Sequence, residues 1–414
     1  MKTTPIVVLL LGAAWLPAVF AADPPPAPVI APTTSGDKAA PKDDPARMEV
    51  SGKVQLDLIQ DFNKVDPKWN TTLRPSTIPI NCPGPGAFGF DPGCGKNGET
   101  VFSVRQTAIS FKGFVPTQAG QLKTDLSLDL FNVGGANTGF RLLHAWAEIG
   151  AFGVGQYETL FMNLDLFPNT IDYWGPSGMI FVRNPQVRYT PYRTDSARLA
   201  FSLEAPNSAV DTGKFALAGL GTGITGWTKY PDLVGKYSMN GGWGFFDLGG
   251  LVRSVGYKNT TAADGEPSGA KTGWGVTADG AVNVFGKDRV VTQVTYGEGI
   301  ASYFNDGGVD LAPAGGGVGS GAQLVKSIGM MLYYDHYWSG QWSSSIGYSQ
   351  HHQDNTGGQA FNAFKTGSYA STNLLWTPAK NVMWGGELLW GKKEQMDGGS
   401  GHDTRVQFTG QFKF

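Results

Sequence analysis

The amino-acid sequence predicts an all-β fold, a transmembrane antiparallel β-barrel of about 16 strands. Three observations carry that prediction. Strict alternation of apolar and polar residues recurs from residue 48 to the last residue. The gaps between alternating segments are short and long in turn. No apolar run of helix-spanning length follows the N-terminal stretch.

The elements follow in chain order. Met1 and Lys2 precede an apolar stretch from Ile6 to Phe20 and the small residues Ala21 and Ala22. This is the form of a secretory signal over residues 1–21, with cleavage after Ala21 and Val19 suited to the position two residues before it. As a membrane anchor the run is shorter than the ~18 residues a spanning helix needs, and Pro17 interrupts it. Residues 22–47, "ADPPPAPVIAPTTSGDKAAPKDDPAR", are rich in Pro and charge with little to bury, so they read as a flexible periplasmic leader. The barrel is assigned to residues 48–414.

In "VSGKVQLDLIQDF" Val50, Val54, Leu56, Leu58 and Phe62 oppose Lys53, Gln55, Asp57 and Asp61. Successive side chains of a strand point to opposite faces, so one face is apolar and the other polar. "QLKTDLSLDLF" repeats the pattern, with Leu122, Leu126, Leu128 and Leu130 against Lys123, Asp125, Ser127 and Asp129. Further segments lie near 100–113, 139–150, 153–161, 179–192, 196–205, 232–239, 243–257, 271–284, 287–299, 324–338, 340–351, 365–377 and 379–393. The chain closes on "TRVQFTGQFKF", with Val406, Phe408, Gly410, Phe412 and Phe414 on one parity. Eight steps of about 3.3 Å from Val406 to Phe414, tilted near 40°, give roughly 20 Å, close to the ~25 Å apolar band of an outer-membrane barrel.

The connections alternate. Short ones include "GAF", "NGG", "FGK", "SG" and "PAK", and long ones include 63–99, 162–178, 206–231, 258–270, 300–323 and 351–364. Short turns on one side and long loops on the other are what outer-membrane barrels show. Trp342, Tyr348, Trp376, Trp384 and Trp390 fall on the outward parity, where girdle aromatics sit at headgroup level.

A formal net charge of -2 argues against a polyanion partner, so nucleic acid is not expected. Cys82 and Cys94 flank "PGPGAFGFDPG"; in an exported chain they are expected to form a disulfide closing this loop, and without a nearby His they make a poor zinc site. "GTGITG" (Gly221 to Gly226) has dinucleotide-fingerprint spacing but no helix to receive a phosphate. His351 and His352 are adjacent and would point apart on a strand. His144, His336 and His402 accompany no nucleophile motif. Neither an enzyme nor a cofactor or metal site is expected.

At "FRLLHAWAEIG" (Phe140 to Gly150), "GQYETLFMNLDLFPNTIDYWGP" (Gly155 to Pro176) and "RNPQVRYT" (Arg183 to Thr190) the chain resembles the DcaP-like outer-membrane porins, the dicarboxylic-acid porin family. The resemblance implies a 16-stranded, homotrimeric porin in the outer membrane that passes small, often anionic solutes, with lipid and lipopolysaccharide as its surroundings. Where an inward Arg is usual in that family, this chain has Ala108 and Leu143. The loop 162–178, with Asp165 and Asp172, stands where porins fold a loop inward to constrict the channel, beside Glu158. Parity places Asp57, Asp61, Asp125 and Asp129 inside on early strands and Arg188 and Arg198 inside on middle strands, with Arg141 at the pore and Arg183 at the loop margin. Inward acids and bases balance elsewhere: Lys236, Arg253, Arg289 and Arg405 against Glu204, Asp232, Asp279 and Glu387. The expectation is passive diffusion of small hydrophilic solutes, including dicarboxylates, through a charged constriction. The alternatives are an unselective or neutral-solute porin, a plugged structural barrel and an outer-membrane enzyme.

Overall fold

The computed structural model describes residues 45–80, 82, 94–95, 97–132, 138–214, 223–259, 269–316 and 321–414. The expected signal and nearly all of the leader lie outside the described residues.

The strands, in chain order, are β1 (Arg47–Asp61), β2 (Thr100–Ser103), β3 (Ala108–Thr117), β4 (Gly120–Asp129), β5 (Arg141–Ile149), β6 (Phe152–Glu158), β7 (Arg183–Arg193), β8 (Ala197–Glu204), β9 (Ile224–Trp227), β10 (Asp232–Gly241), β11 (Gly244–Asn259), β12 (Gly269–Asn283), β13 (Arg289–Glu298), β14 (Leu311–Pro313), β15 (Ala322–Leu324), β16 (Lys326–Tyr337), β17 (Trp342–Asp354), β18 (Phe364–Ala379), β19 (Val382–Gln395) and β20 (Ser400–Lys413). β14 and β15 form a separate hairpin; the others make one antiparallel sheet. β2 and β3 both pair with β1 and act as one barrel strand, while β9 only extends the ladder along β11. Sixteen barrel strands result among the described residues. The sheet closes on itself, because β20 pairs with β1 from Lys53↔Lys413 to Asp61↔Arg405. Closure leaves no sheet edge unpaired in lipid.

The parity seen in the sequence is turned inside out relative to a water-soluble protein. On β1, Val54 and Leu56 are 53% and 49% exposed, while Gln55 and Asp57 are 1% and 0% exposed. An outer surface of Leu, Val and Phe is stable only where lipid replaces water. Trp342 stacks on its cross-strand partner Trp376 at 5.9 Å, and Trp384 meets Phe412 edge-on at 5.8 Å. All four lie near the short-turn end, as a girdle does.

Three details of the frame position what lies inside it. All the short turns, such as 118–119, 150–151, 194–196, 242–243 and 380–381, share one end with the seam contact of Gly52 to Phe414. Wall height varies, from seven residues in β6 and eight in β8 to 16 in β18. Finally, the register of β7 against β8 shifts between Tyr189 and Tyr192, around Pro191. A proline cannot donate to the ladder and is tolerated in a sheet at such a bulge, which re-aims the residues beyond it.

Cys82 and Cys94 are joined in a disulfide, with Cα atoms 5.7 Å apart.

Candidate pore and its inner loop

Chain enters the barrel interior. Residues 159–182, between β6 and β7, run along the polar face of the wall and meet it strand by strand. Leu160 N donates to Glu204 Oε1 on β8 at 2.8 Å, and Lys236 Nζ on β10 donates to Met162 O at 2.7 Å. Asn163 Nδ2 donates to Asp247 on β11, and Arg289 on β13 donates to the carbonyls of Asp165 and Phe167. Asn169 N donates to Asp335 on β16 at 3.1 Å. Ile171 N and Asp172 N donate to Glu387 on β19 at 2.9 and 3.3 Å, and Gln407 on β20 donates to Ile171 O. The return passes Ser349 on β17, which accepts from Gly178 N, and Gln293 on β13, which accepts from Ile180 N. At Gly178 a Cβ would stand 2.1 Å from Gln350 O, so only glycine lets the loop lie this close to the wall.

These bonds answer a requirement of the chain itself. A loop with little secondary structure carries unpaired N–H and C=O groups, and inside a barrel they must be met by side chains. Apolar contacts add to them: Leu160, Phe161, Met162 and Ile180 pack with Tyr303 and Phe304 on the inward Ala200, Val234 and Leu251. Those three apolar inward positions depart from the polar parity because the loop covers them.

The loop's acids differ in setting. Asp172 is buried, accepting from Leu73 N and Thr72 Oγ1 through one oxygen and from Gly175 N through the other. Burial lifts its carboxyl above the usual range, against the opposing pull of Arg405 and these donors. Asp165 faces the remaining open space, and enclosure by the wall also lifts its carboxyl, with Arg289 acting the other way.

That open space is a cavity of about 510 Å³ against the wall from β3 to β11, on the short-turn side of the loop. Of the residues expected at the pore, Asp125, Asp165, Arg188 and Arg198 line it. The others stand elsewhere. Asp57 is wholly buried, accepting from Gln55, Gln106, Gln407 and Thr409. Glu158 is buried between Arg183, whose Nε donates to it at 2.9 Å, and His144 at 2.7 Å. Asp129 pairs with Arg141, which also donates to the Tyr173 hydroxyl. Asp57 and Glu158 are therefore engaged within the wall and Asp172 in anchoring the inner loop, and none of the three lines this cavity.

Arg193 also lines the cavity, one residue beyond the strand segment expected near 179–192. The bulge at Pro191 reverses the parity of the last turn of β7, and that proline was the signal in the sequence. Arg193 stands directly opposite Arg198 in the β7–β8 ladder. Arg188 is steadied by Gln186 Oε1 and by the carbonyl of Glu158 at 2.7 Å, both neutral acceptors, with the carboxylates of Glu204, Glu158 and Glu148 acting on it electrostatically. Lys236 and Asp247, across the cavity, pair with each other at 3.0 Å.

A family model described as DcaP outer membrane protein matches residues 99–414. Among solved structures, the chain is similar to the outer membrane channel DcaP of Acinetobacter baumannii, with 20% identity and a TM-score of 0.75 over 89% of this chain and 98% of that one. It is also similar to an anion-selective porin from Comamonas acidovorans, with 10% identity and a TM-score of 0.57 over 89% and 100%. The trimer form of OmpT, an outer membrane protein of Vibrio cholerae, aligns at 9% identity and a TM-score of 0.54 over 90% and 100%. Such identities establish the fold that the four share. No curated protein matches the chain in sequence.

Proposed function

The chain belongs to the DcaP outer membrane protein family, and from that premise we propose that this outer-membrane porin passes small hydrophilic anions, dicarboxylates among them, by passive diffusion past its inner loop. The observation that carries the reading is the wall of Arg188, Arg193 and Arg198 on one side of the cavity, facing the loop's Asp165. Fixed charge on a pore wall enriches counter-ions, and opposed signs set up a field that orients dipolar solutes. The loop 159–182 acts as the constriction, since it narrows the interior to the side where the arginines stand. In this reading residues 1–21 direct export, 22–47 form a periplasmic leader, and lipopolysaccharide surrounds the loop-bearing end.

Purified protein in a planar bilayer under a salt gradient tests this. Conductance steps with an anion-favouring reversal potential are expected, and Arg188→Ala is expected to shift that potential toward zero. A potential that the substitution leaves unmoved would remove Arg188 from the selectivity wall. A wild-type potential at zero would favour the unselective porin, a reading supported by Asp125, Glu148, Asp165, Asp195 and Asp247 on the same cavity.

We further propose a homotrimer assembled through the wall of β5 to β8. β6 has seven residues, about 23 Å of extended chain and some 18 Å of height at the usual tilt, which falls short of the ~25 Å apolar band. A second copy relieves that mismatch where lipid would have to thin. Phe201, outward on β8 and 42% exposed, lies on this wall. Phe201→Arg is expected to yield monomers by size in mild detergent. Leu388→Arg, on the tall wall, should leave the trimer intact, and equal effects of the two would place the contact elsewhere.

A further inference from the structure

We propose that the outward face of β9, β11 and β12, at the long-loop end, is a docking surface for the phosphate-bearing headgroup of an outer-leaflet lipid, lipopolysaccharide, held by Lys229 and Lys258 on either side of Trp227. The proposal rests on the chain's place in the outer membrane and is independent of what the pore passes.

Height supplies the first reason. On β11 the outward residues Phe246, Leu248 and Val252 are 39%, 53% and 45% exposed, as lipid-facing side chains are. Ten steps of about 3.3 Å from Gly244, where β11 starts, to Ser254, tilted near 40°, give roughly 25 Å, the full height of the apolar band. From Ser254 upward the same parity turns polar. Lys229 N donates to Ser254 Oγ at 3.1 Å, Thr272 is the cross-strand partner of Ser254, and Lys258 stands four residues farther along β11. Side chains at this level meet headgroups and not acyl chains.

The second reason is the local frame. Among the described residues β9 pairs with β11 alone, from Gly256↔Trp227 to Asn259↔Ile224. That short extension places Trp227 opposite a glycine on the outward parity, where it is 39% exposed. Lys229 Nζ lies 5.8 Å from the centroid of this ring, so the lysine's stem runs along the indole and its ammonium is held at the level of the ring. Lys258 is the partner of Thr225, two residues or about 7 Å beyond the Trp227 row. Two ammonium groups so placed flank one phosphate or take the two of a bisphosphorylated headgroup. Tyr230 and Trp274, 43% and 39% exposed, complete an aromatic row of the kind that sits at headgroup level.

Charge is the third reason. Both lysines are exposed, and neither is ion-paired among the described residues. Glu298, the outward acid on neighbouring β13, is paired with Lys326 at 3.9 Å. The hydroxyls of Tyr230 and Thr272 lie 3.3 Å apart, and whichever donates leaves the other's proton for an outside acceptor. A phosphate supplies that acceptor and the missing counter-charge together. A headgroup without phosphate leaves the lysines uncompensated.

Native mass spectrometry of the full chain in mild detergent tests this, with bisphosphorylated lipid A and its dephosphorylated form as probes. The phosphorylated lipid is expected to bind, and Lys229→Gln/Lys258→Gln to weaken it about tenfold or more. Lys229→Arg/Lys258→Arg, which keeps both charges, should retain it. Equal binding of the dephosphorylated form, or binding that survives the double Gln substitution, overturns the proposal. So does displacement of the lipid by inorganic phosphate at an ionic strength where chloride leaves it bound, because the site would then take the free ion. Lipid loss accompanied by dissociation into monomers would assign the patch to a subunit contact, again against the proposal. Both lysines stand outside the lumen, so the Gln variant should conduct like wild type. A silent wild-type channel that still binds phosphorylated lipid A would count against the porin reading and leave this surface standing.

Discussion

Arg405→Ala is expected to make the folded barrel unfold at a markedly lower temperature, with a loss of about 3–5 kcal/mol. Arg405 lies on the closing strand and is wholly buried. Its Nε donates to Asp61 Oδ1 at 2.6 Å and its Nη2 to Asp61 Oδ2 at 3.1 Å, a two-pronged bond between the last strand and the first. The same Nη2 donates to Asn70 O, and Asp172 of the inner loop stands 3.9 Å from Nη1. Removing the cation leaves Asp61 and Asp172 as buried acids without their shared partner, and that uncompensated charge causes most of the loss. The seam and the loop are weakened together. Heat-dependent mobility of the folded form on gels measures the effect. Adding Asp61→Asn to Arg405→Ala should recover part of it, because one buried charge is then gone. A single variant as heat-resistant as wild type would show that water reaches this network and screens it.

Glu387→Ala is expected to release the tip of the inner loop and raise single-channel conductance. Glu387 accepts from Ile171 N at 2.9 Å, Asp172 N at 3.3 Å and Asn373 Nδ2 at 2.8 Å. A buried amide left without its acceptor costs roughly 1–3 kcal/mol, so two loop amides together lose on the order of 3 kcal/mol of docking energy. A released amide pairs with water in the lumen, which makes undocking the easier outcome. Conductance and open-channel noise should rise together while the barrel keeps its heat resistance, since β19 stays paired with β18 and β20. Unchanged conductance would mean that Asp335, Gln293 and Ser349 suffice to hold the loop.

Much of this architecture was legible from residue order. The alternation in β1 and β20 requires that one face be lipid-facing, and Asp57, Asp125, Arg188 and Arg198 turned inward as their parity required. Spacing of turns and loops was equally plain, because short and long connections differ in length alone. Arg193 was missed because the expected segment stopped at residue 192, whereas the bulge at Pro191 adds a residue and carries the β7–β8 ladder on to Arg193. Ala200, Val234 and Leu251 were invisible as an inner apolar patch, since nothing local says that a loop will cover them.

Residue order alone specified the barrel, its strand order and the inward parity of the unbroken strands, because a period of two and a membrane-length run are local properties of the chain. The tertiary structure decided which inward charges face open space. Asp57, Glu158 and Asp172 are covered by partners more than ten residues away in sequence, while Arg188, Arg193 and Arg198 share one cavity wall across the β7–β8 ladder. Exposure inside a barrel depends on where a distant loop comes to rest, and that is settled by packing and by which buried amides need an acceptor.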